Sequence, residues 1–104
     1  MPDYLYVYKG GGMPETEAAQ QESMARWGAW MEKNAKSFVD PGNPVMKSWT
    51  VDANGPHEGA EVPTTGYTIV RADSIEAACD MARDNPMIAD GGSVEVAEIH
   101  VIEM

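Results

Sequence analysis

Residues 3–9 alternate Tyr4, Tyr6 and Tyr8 against Leu5 and Val7. A period of two in aromatic and aliphatic residues predicts a strand. Both of its faces are apolar or aromatic, so the pattern also predicts cover on both sides. From residue 15 to about 38 the period changes. Met24, Trp27, Met31, Ala35 and Phe38 recur at three- and four-residue spacing and predict the apolar stripe of a long helix. Trp30 falls one residue before Met31, about 100° away around the axis, on the flank of that stripe. Pro14 suits the first turn of this helix. Glu15, Glu17 and Glu22 near its start, with Lys33 and Lys36 near its end, match the helix dipole.

Residues 45–51, ending near Trp49, and residues 67–72 read as two further strands. Asp73-Ser74-Ile75-Glu76 is a capping-box pattern that makes Asp73 the N-cap of a second helix. That helix puts Ile75, Ala78, Cys79 and Ala82 on one face and stops before Pro86. Residues 94–102 read as the last strand. Gly10-Gly11-Gly12, Pro41-Gly42-Asn43-Pro44, the polar stretch 52–66, Asn85-Pro86 and Gly91-Gly92 separate these elements. The order β-α-β-β-α-β over residues 1–104 is the ferredoxin-like plan, an α+β domain. It predicts a four-stranded antiparallel sheet with two helices on one face. The bare face would be a large apolar patch, which soluble monomers rarely carry. Pairing two sheets face to face in a homodimer removes it.

The composition narrows the partners. The chain has 104 residues, 43% hydrophobic and 23% charged, which is globular. Acidic residues outnumber basic ones 17 to 7, for a net charge of -10. That sign repels phosphate backbones and anionic lipid, so no nucleic-acid or membrane partner is expected. Asp3 near the start and the lack of a basic, then apolar, leader point away from a secretory signal. Cys79 is a single cysteine and fits a reducing, cytoplasmic setting. It cannot anchor a structural zinc site with two distant histidines, so no metal or cofactor is expected.

Individual residues offer limited chemistry. His100, on the last predicted strand, is either a general acid–base group on a pocket wall or a half-buried histidine satisfied by a neighbour. His57, Glu58 and Glu61 have poor spacing for a metal and read as a solvated loop. Cys79, on an apolar helix face, reads as a buried inert thiol. Trp27, Trp30, Trp49 and the tyrosines either wall a pocket for a flat ligand or fill the core and an interface. The triple glycine lacks a phosphate-loop ending and reads as the flexible mouth of a cleft.

Several short motifs then fall in a familiar order. They are Trp27-Gly-Ala-Trp30, Asn43-Pro-Val, a Gly55-Pro56 loop, Gly66-Tyr67-Thr-Ile-Val, Ala72-Asp-Ser-Ile-Glu-Ala-Ala, Asn85-Pro86 and Gly92-Ser-Val-Glu95-Val96. Together they resemble the YCII-related family, also called the DGPF-domain group, over nearly the whole chain. The resemblance implies a ferredoxin-like subunit and a dimeric α+β barrel, akin to muconolactone-isomerase and antibiotic-monooxygenase-like folds. Family members include lyase-type enzymes, accessory halves and proteins linked to sigma-factor modules. One branch carries a His on the first helix and an Asp before a proline after the second. The matching positions here are Ser23 and Asn85, neither of which shuttles protons near neutrality. The Asp-Gly-Pro-Phe motif of the other branch reads Asn54-Gly55-Pro56-His57 here.

Two functions follow as expectations. One is a small-organic-ligand site between the first helix and the sheet, formed by Tyr8, Ser23, Trp27, Trp30 and His100, which either binds alone or adds lyase- or isomerase-type chemistry. The other is a non-catalytic dimeric accessory or interaction module.

Overall fold

The computed structural model describes residues 1–11 and 14–103. The elements are β1 (Asp3–Gly10), α1 (Glu17–Lys33), a 3-10 turn (Ala35–Ser37), β2 (Phe38–Asp40), β3 (Trp49–Asp52), β4 (Gly55–Glu58), β5 (Thr64–Arg71), α2 (Ile75–Ala82), α3 (Pro86–Ala89) and β6 (Gly92–Glu98). Four strands form an antiparallel sheet in the order β2-β5-β1-β6, and β3 pairs with β4 in a separate two-stranded sheet.

The alternation in β1 explains its central place. Tyr4, Tyr6 and Tyr8 all point to one face and are buried, while Leu5 and Val7 are half-buried on the other. Both α1 and α2 lie on the tyrosine face. The Tyr6 hydroxyl donates to the Ala78 carbonyl of α2, and the Trp30 indole N–H of α1 donates to the Met81 carbonyl of α2 at 3.0 Å. Val70, Ala72, Ala78 and Ala82 complete the buried core. Small alanines on α2 let that helix approach the bulky tyrosines closely, so volume is matched across the layer. Among the described residues no helix is long and apolar enough to cross a membrane.

Several expectations need correction. The first helix starts at Glu17, where the Thr16 hydroxyl accepts from the Ala19 N–H, so Pro14 precedes it. It ends at Lys33 rather than near Phe38, because the Asn34 side chain donates back to the Trp30 carbonyl at 2.9 Å and the chain tightens into the 3-10 turn. Phe38 then opens β2, which pairs with β5 at the sheet edge. Residues 45–51 do not form the expected sheet strand. Only Trp49 onward is extended, in the β3–β4 hairpin. The Ser74 hydroxyl, not Asp73, caps α2 by accepting from Ala77.

The helical stripe is also rotated from its expected position. Met24 is 73% exposed, whereas Trp30 is only 4% exposed. An indole carries more apolar area than a thioether, and its N–H finds a carbonyl here, so Trp30 takes the inward position. Cys79 is exposed rather than buried. The last strand stops at Glu98, which leaves His100 exposed beyond the sheet. Gly12 of the triple glycine lies outside the described residues.

Candidate functional site

A cavity of about 570 Å³ opens between α1 and the end of the sheet where β1 and β5 meet the 41–44 segment. Its walls come from at least five parts of the chain. Ser23, Met24, Trp27 and Met31 line it from α1, Tyr8 from β1, Gly66, Tyr67 and Thr68 from β5, and Met87 and Asp90 from α3 and its C-cap. The Pro41–Pro44 segment closes the side facing β5.

This segment is held by its backbone. The Gly42 N–H donates to the Asp40 carboxylate at 2.8 Å. Val45 N–H donates to the Thr65 carbonyl and Tyr67 N–H to the Asn43 carbonyl. Gly42 has φ +79°, and a Cβ there would sit 1.6 Å from the Tyr67 carbonyl oxygen. Only glycine permits both the left-handed turn and this approach to β5. The Pro-Gly-Asn-Pro run therefore builds a wall, not merely a break between elements.

At the floor, four groups form a directed hydrogen-bond chain. Thr68 donates its hydroxyl proton to the Pro41 carbonyl at 2.9 Å. Its oxygen must therefore accept from Tyr8, 2.8 Å away. The Tyr8 oxygen in turn accepts from the Asn85 amide at 3.4 Å. Burial pushes the Tyr8 phenol above its ordinary value, although its bonds to Thr68 and Asn85 pull the other way. Tyr8 is a neutral phenol at physiological pH, with its proton already given to Thr68.

Asn85 is 1% exposed, and its side-chain oxygen caps α3 by accepting from the Met87 N–H at 2.8 Å. It thus joins the helix cap to the cavity floor. At the rim, the Asp90 carboxylate accepts from the Ser23 hydroxyl and from the Arg26 guanidinium, each at 2.9 Å. Arg26 sits on the outer side of this pair and is not a lining residue, so the cavity meets Asp90 itself.

Of the five residues expected at the site, Tyr8, Ser23 and Trp27 are brought together in its lining. Trp30 and His100 are not. Trp30 is turned into the core against Tyr6 and Phe38. His100 follows the end of β6, because the strand stops earlier than its apolar composition implies. Trp27 is the ring at the cavity, edge-on to Tyr8 with centroids 5.3 Å apart. Sequence reasoning missed Asp90, Thr68, Tyr67 and Met87. Pro41-Gly42-Asn43-Pro44 was the available signal, since a rigid loop beside a predicted strand must pack on something.

Tyr8, Tyr67 and Asp90 are the titratable groups among the described lining residues. Among the described residues no group of three or more His, Cys, Asp or Glu side chains is placed to hold a metal ion. His57 instead pairs with Asp52 at 2.9 Å within the exposed hairpin, which holds the Asp52 carboxyl below its ordinary range. No family model matches the chain, and no curated protein matches it.

Proposed function

We propose that this chain is a YCII-like small-molecule-binding domain, built on the ferredoxin-like plan and working as a homodimer. The strand order β2-β5-β1-β6, with α1 and α2 on one face, supports the plan. The observation that carries the function is the cavity. Its volume of about 570 Å³ is that of an organic-ligand site, and its lining sets aromatic and methionine side chains and several glycines and prolines beside a small set of polar groups that includes Ser23, Thr68 and Asp90.

Of the two functional forms, the non-catalytic one has the better support. A lyase or isomerase acting near neutral pH works best with a group that titrates there. Among the described lining residues Tyr8 is already committed to Thr68, and Asp90 to Ser23 and Arg26. The domain therefore recognises its ligand as an accessory or sensing module.

The test is a tryptophan-fluorescence titration of the full chain with 2-phenylethanol, an uncharged ring compound that fits the volume. A saturable change that is lost in Trp27→Ala is expected. No saturable change up to millimolar concentration would remove the ligand-binding reading.

A further inference from the structure

The hydroxyl protons around the cavity are nearly all committed within the protein. Thr68 gives its proton to Pro41, Tyr8 to Thr68, Ser23 to Asp90, and Thr65 to the carbonyl of Tyr8 or Gly10. What these groups leave facing the cavity are lone pairs. The Gln20 and Asn43 amides each donate one N–H to protein oxygens and otherwise balance donor with acceptor. Asp90 is the charged side chain in the described lining, and its side chain is 15% exposed. Its two oxygens each retain acceptor capacity beyond the bonds from Ser23 and Arg26.

The remaining lining side chains include aromatic and soft groups. Trp27 and Tyr8 offer ring faces and edges, and Met24, Met31 and Met87 offer polarizable thioethers that adapt to a ring's shape. The net charge of -10 adds a long-range field that draws cations and repels anions.

From this balance we infer that the cavity is selective for an organic amine: a compact ring packed among Trp27, Tyr8 and the methionines, with its N–H donors directed to the Ser23–Asp90 rim. The inference rests on the cavity being a ligand site and names the ligand's class. An aromatic carboxylate of the same size fits the walls equally well. Its oxygens, however, meet the Asp90 carboxylate at the rim and the Ser23 and Tyr8 hydroxyls, whose protons are already given to Asp90 and Thr68, so it is disfavoured by charge and by unpaired acceptors.

Three ligands of one shape separate the outcomes: 2-phenylethylamine, 2-phenylethanol and phenylacetate, titrated against the full chain at low salt by tryptophan fluorescence and by the Trp27 indole N–H resonance. The amine is expected to bind at least about tenfold more tightly than the acid, as one charge-assisted hydrogen bond at a half-buried carboxylate allows. Asp90→Asn should erase that preference, bringing amine and acid to within about twofold of each other, with 2-phenylethanol as the uncharged reference. Ser23→Ala, which keeps the carboxylate, should retain most of it and guards against misfolding of the first variant. Equal affinity for amine, alcohol and acid overturns the amine inference but keeps the ligand site. Tighter binding of the acid also overturns it. Failure of all three to bind overturns the inference together with the site reading on which it rests.

Discussion

Trp27 and Trp30 meet edge to face, with ring centroids 6.1 Å apart and planes at 81°. They sit three residues apart on one helix and do different work. Trp30 is buried against Tyr6 and Phe38, and its N–H satisfies the Met81 carbonyl, so it ties α1 to α2. Trp27 is half-buried and forms a cavity wall. Truncating Trp30 to alanine leaves a large void and an unpaired carbonyl, and should cost about 3–5 kcal/mol. Trp27→Ala should cost clearly less, because one side of that ring already faces open space. Urea unfolding of both variants measures the difference. Equal losses would mean that the Trp27 side is packed rather than open.

Gly42→Ala tests the wall made by the 41–44 segment. The new Cβ would lie 1.6 Å from the Tyr67 carbonyl oxygen, and the φ of +79° is strained for any other residue. The obstacle is backbone and cannot rotate away. The segment must therefore lift from β5, breaking the bonds from Val45 N–H to Thr65 and from Tyr67 N–H to Asn43. The expected result is a loss of roughly 1–3 kcal/mol, with lost protection of the Tyr67 amide in hydrogen exchange. Unchanged protection at Tyr67 would show that the segment does not depend on this contact.

Tyr6 and Tyr8, two of the three inward tyrosines, predict an alkaline limit to stability. Burial raises the phenol of Tyr6, with repulsion from Tyr8 and Cys79 as smaller causes, and burial also raises Tyr8. In the unfolded chain both titrate near the ordinary value of about 10. The folded state therefore holds protons that the unfolded state releases as pH rises. Their contribution is fully present below about pH 10 and is lost progressively above it. Absorbance at 295 nm should show two phenols ionising only as the far-ultraviolet circular dichroism collapses. Tyr6→Phe should remove one of them from that coupled step. Ionisation of both with the fold intact would contradict their burial.

How far the fold could be read depended on where each signal is stored. The alternation in β1 is local, so the central strand and its buried tyrosines were legible, as was the existence of both helices. Which face of α1 turns inward was not. Met24 and Trp30 are both apolar, and only the carbonyl of Met81 and the rings of Tyr6 and Phe38 decide between them. Tyr8, Ser23 and Trp27 were legible as cavity residues because they lie on β1 and α1, which the pattern already places side by side. Asp90 and Thr68 were not, because they reach Ser23 and Tyr8 only through long-range pairing, 67 and 60 residues apart in sequence. The missing strand at residues 45–51 has a related cause. Two prolines and a glycine in the preceding 41–44 segment bind it to β5, and the chain then leaves the sheet as the β3–β4 hairpin.

The proposed homodimer gives the last prediction. Leu5 and Val7 of β1, Tyr67 and Ile69 of β5 and Ala97 of β6 alternate with the inward residues and lie half-buried on the face away from α1 and α2. Two ion pairs lie on this face. Lys9 bonds Glu95 and Arg71 bonds Asp3, both at 2.9 Å. Lys9, Glu95, Arg71 and Asp3 together sum to zero, whereas the whole chain carries -10. Two copies repel each other over most of their surface, but not where this apolar, neutral face meets its own equivalent. The β3–β4 hairpin strengthens the case. A lone two-stranded hairpin is marginal in water, yet this one exposes Trp49 and Val51. It also helps to give the chain a radius of gyration of 15.1 Å, against roughly 13 Å for a compact domain of this length. Light scattering after size-exclusion chromatography should therefore return about twice the chain mass of 11.3 kDa. Val7→Glu places an unpaired carboxylate at the centre of the face and should return the chain mass itself, with the circular dichroism unchanged. A wild-type monomer at micromolar concentration would show that this face stays open. A Val7→Glu dimer would move the contact elsewhere, with the exposed Trp49 of the hairpin as the next position to substitute.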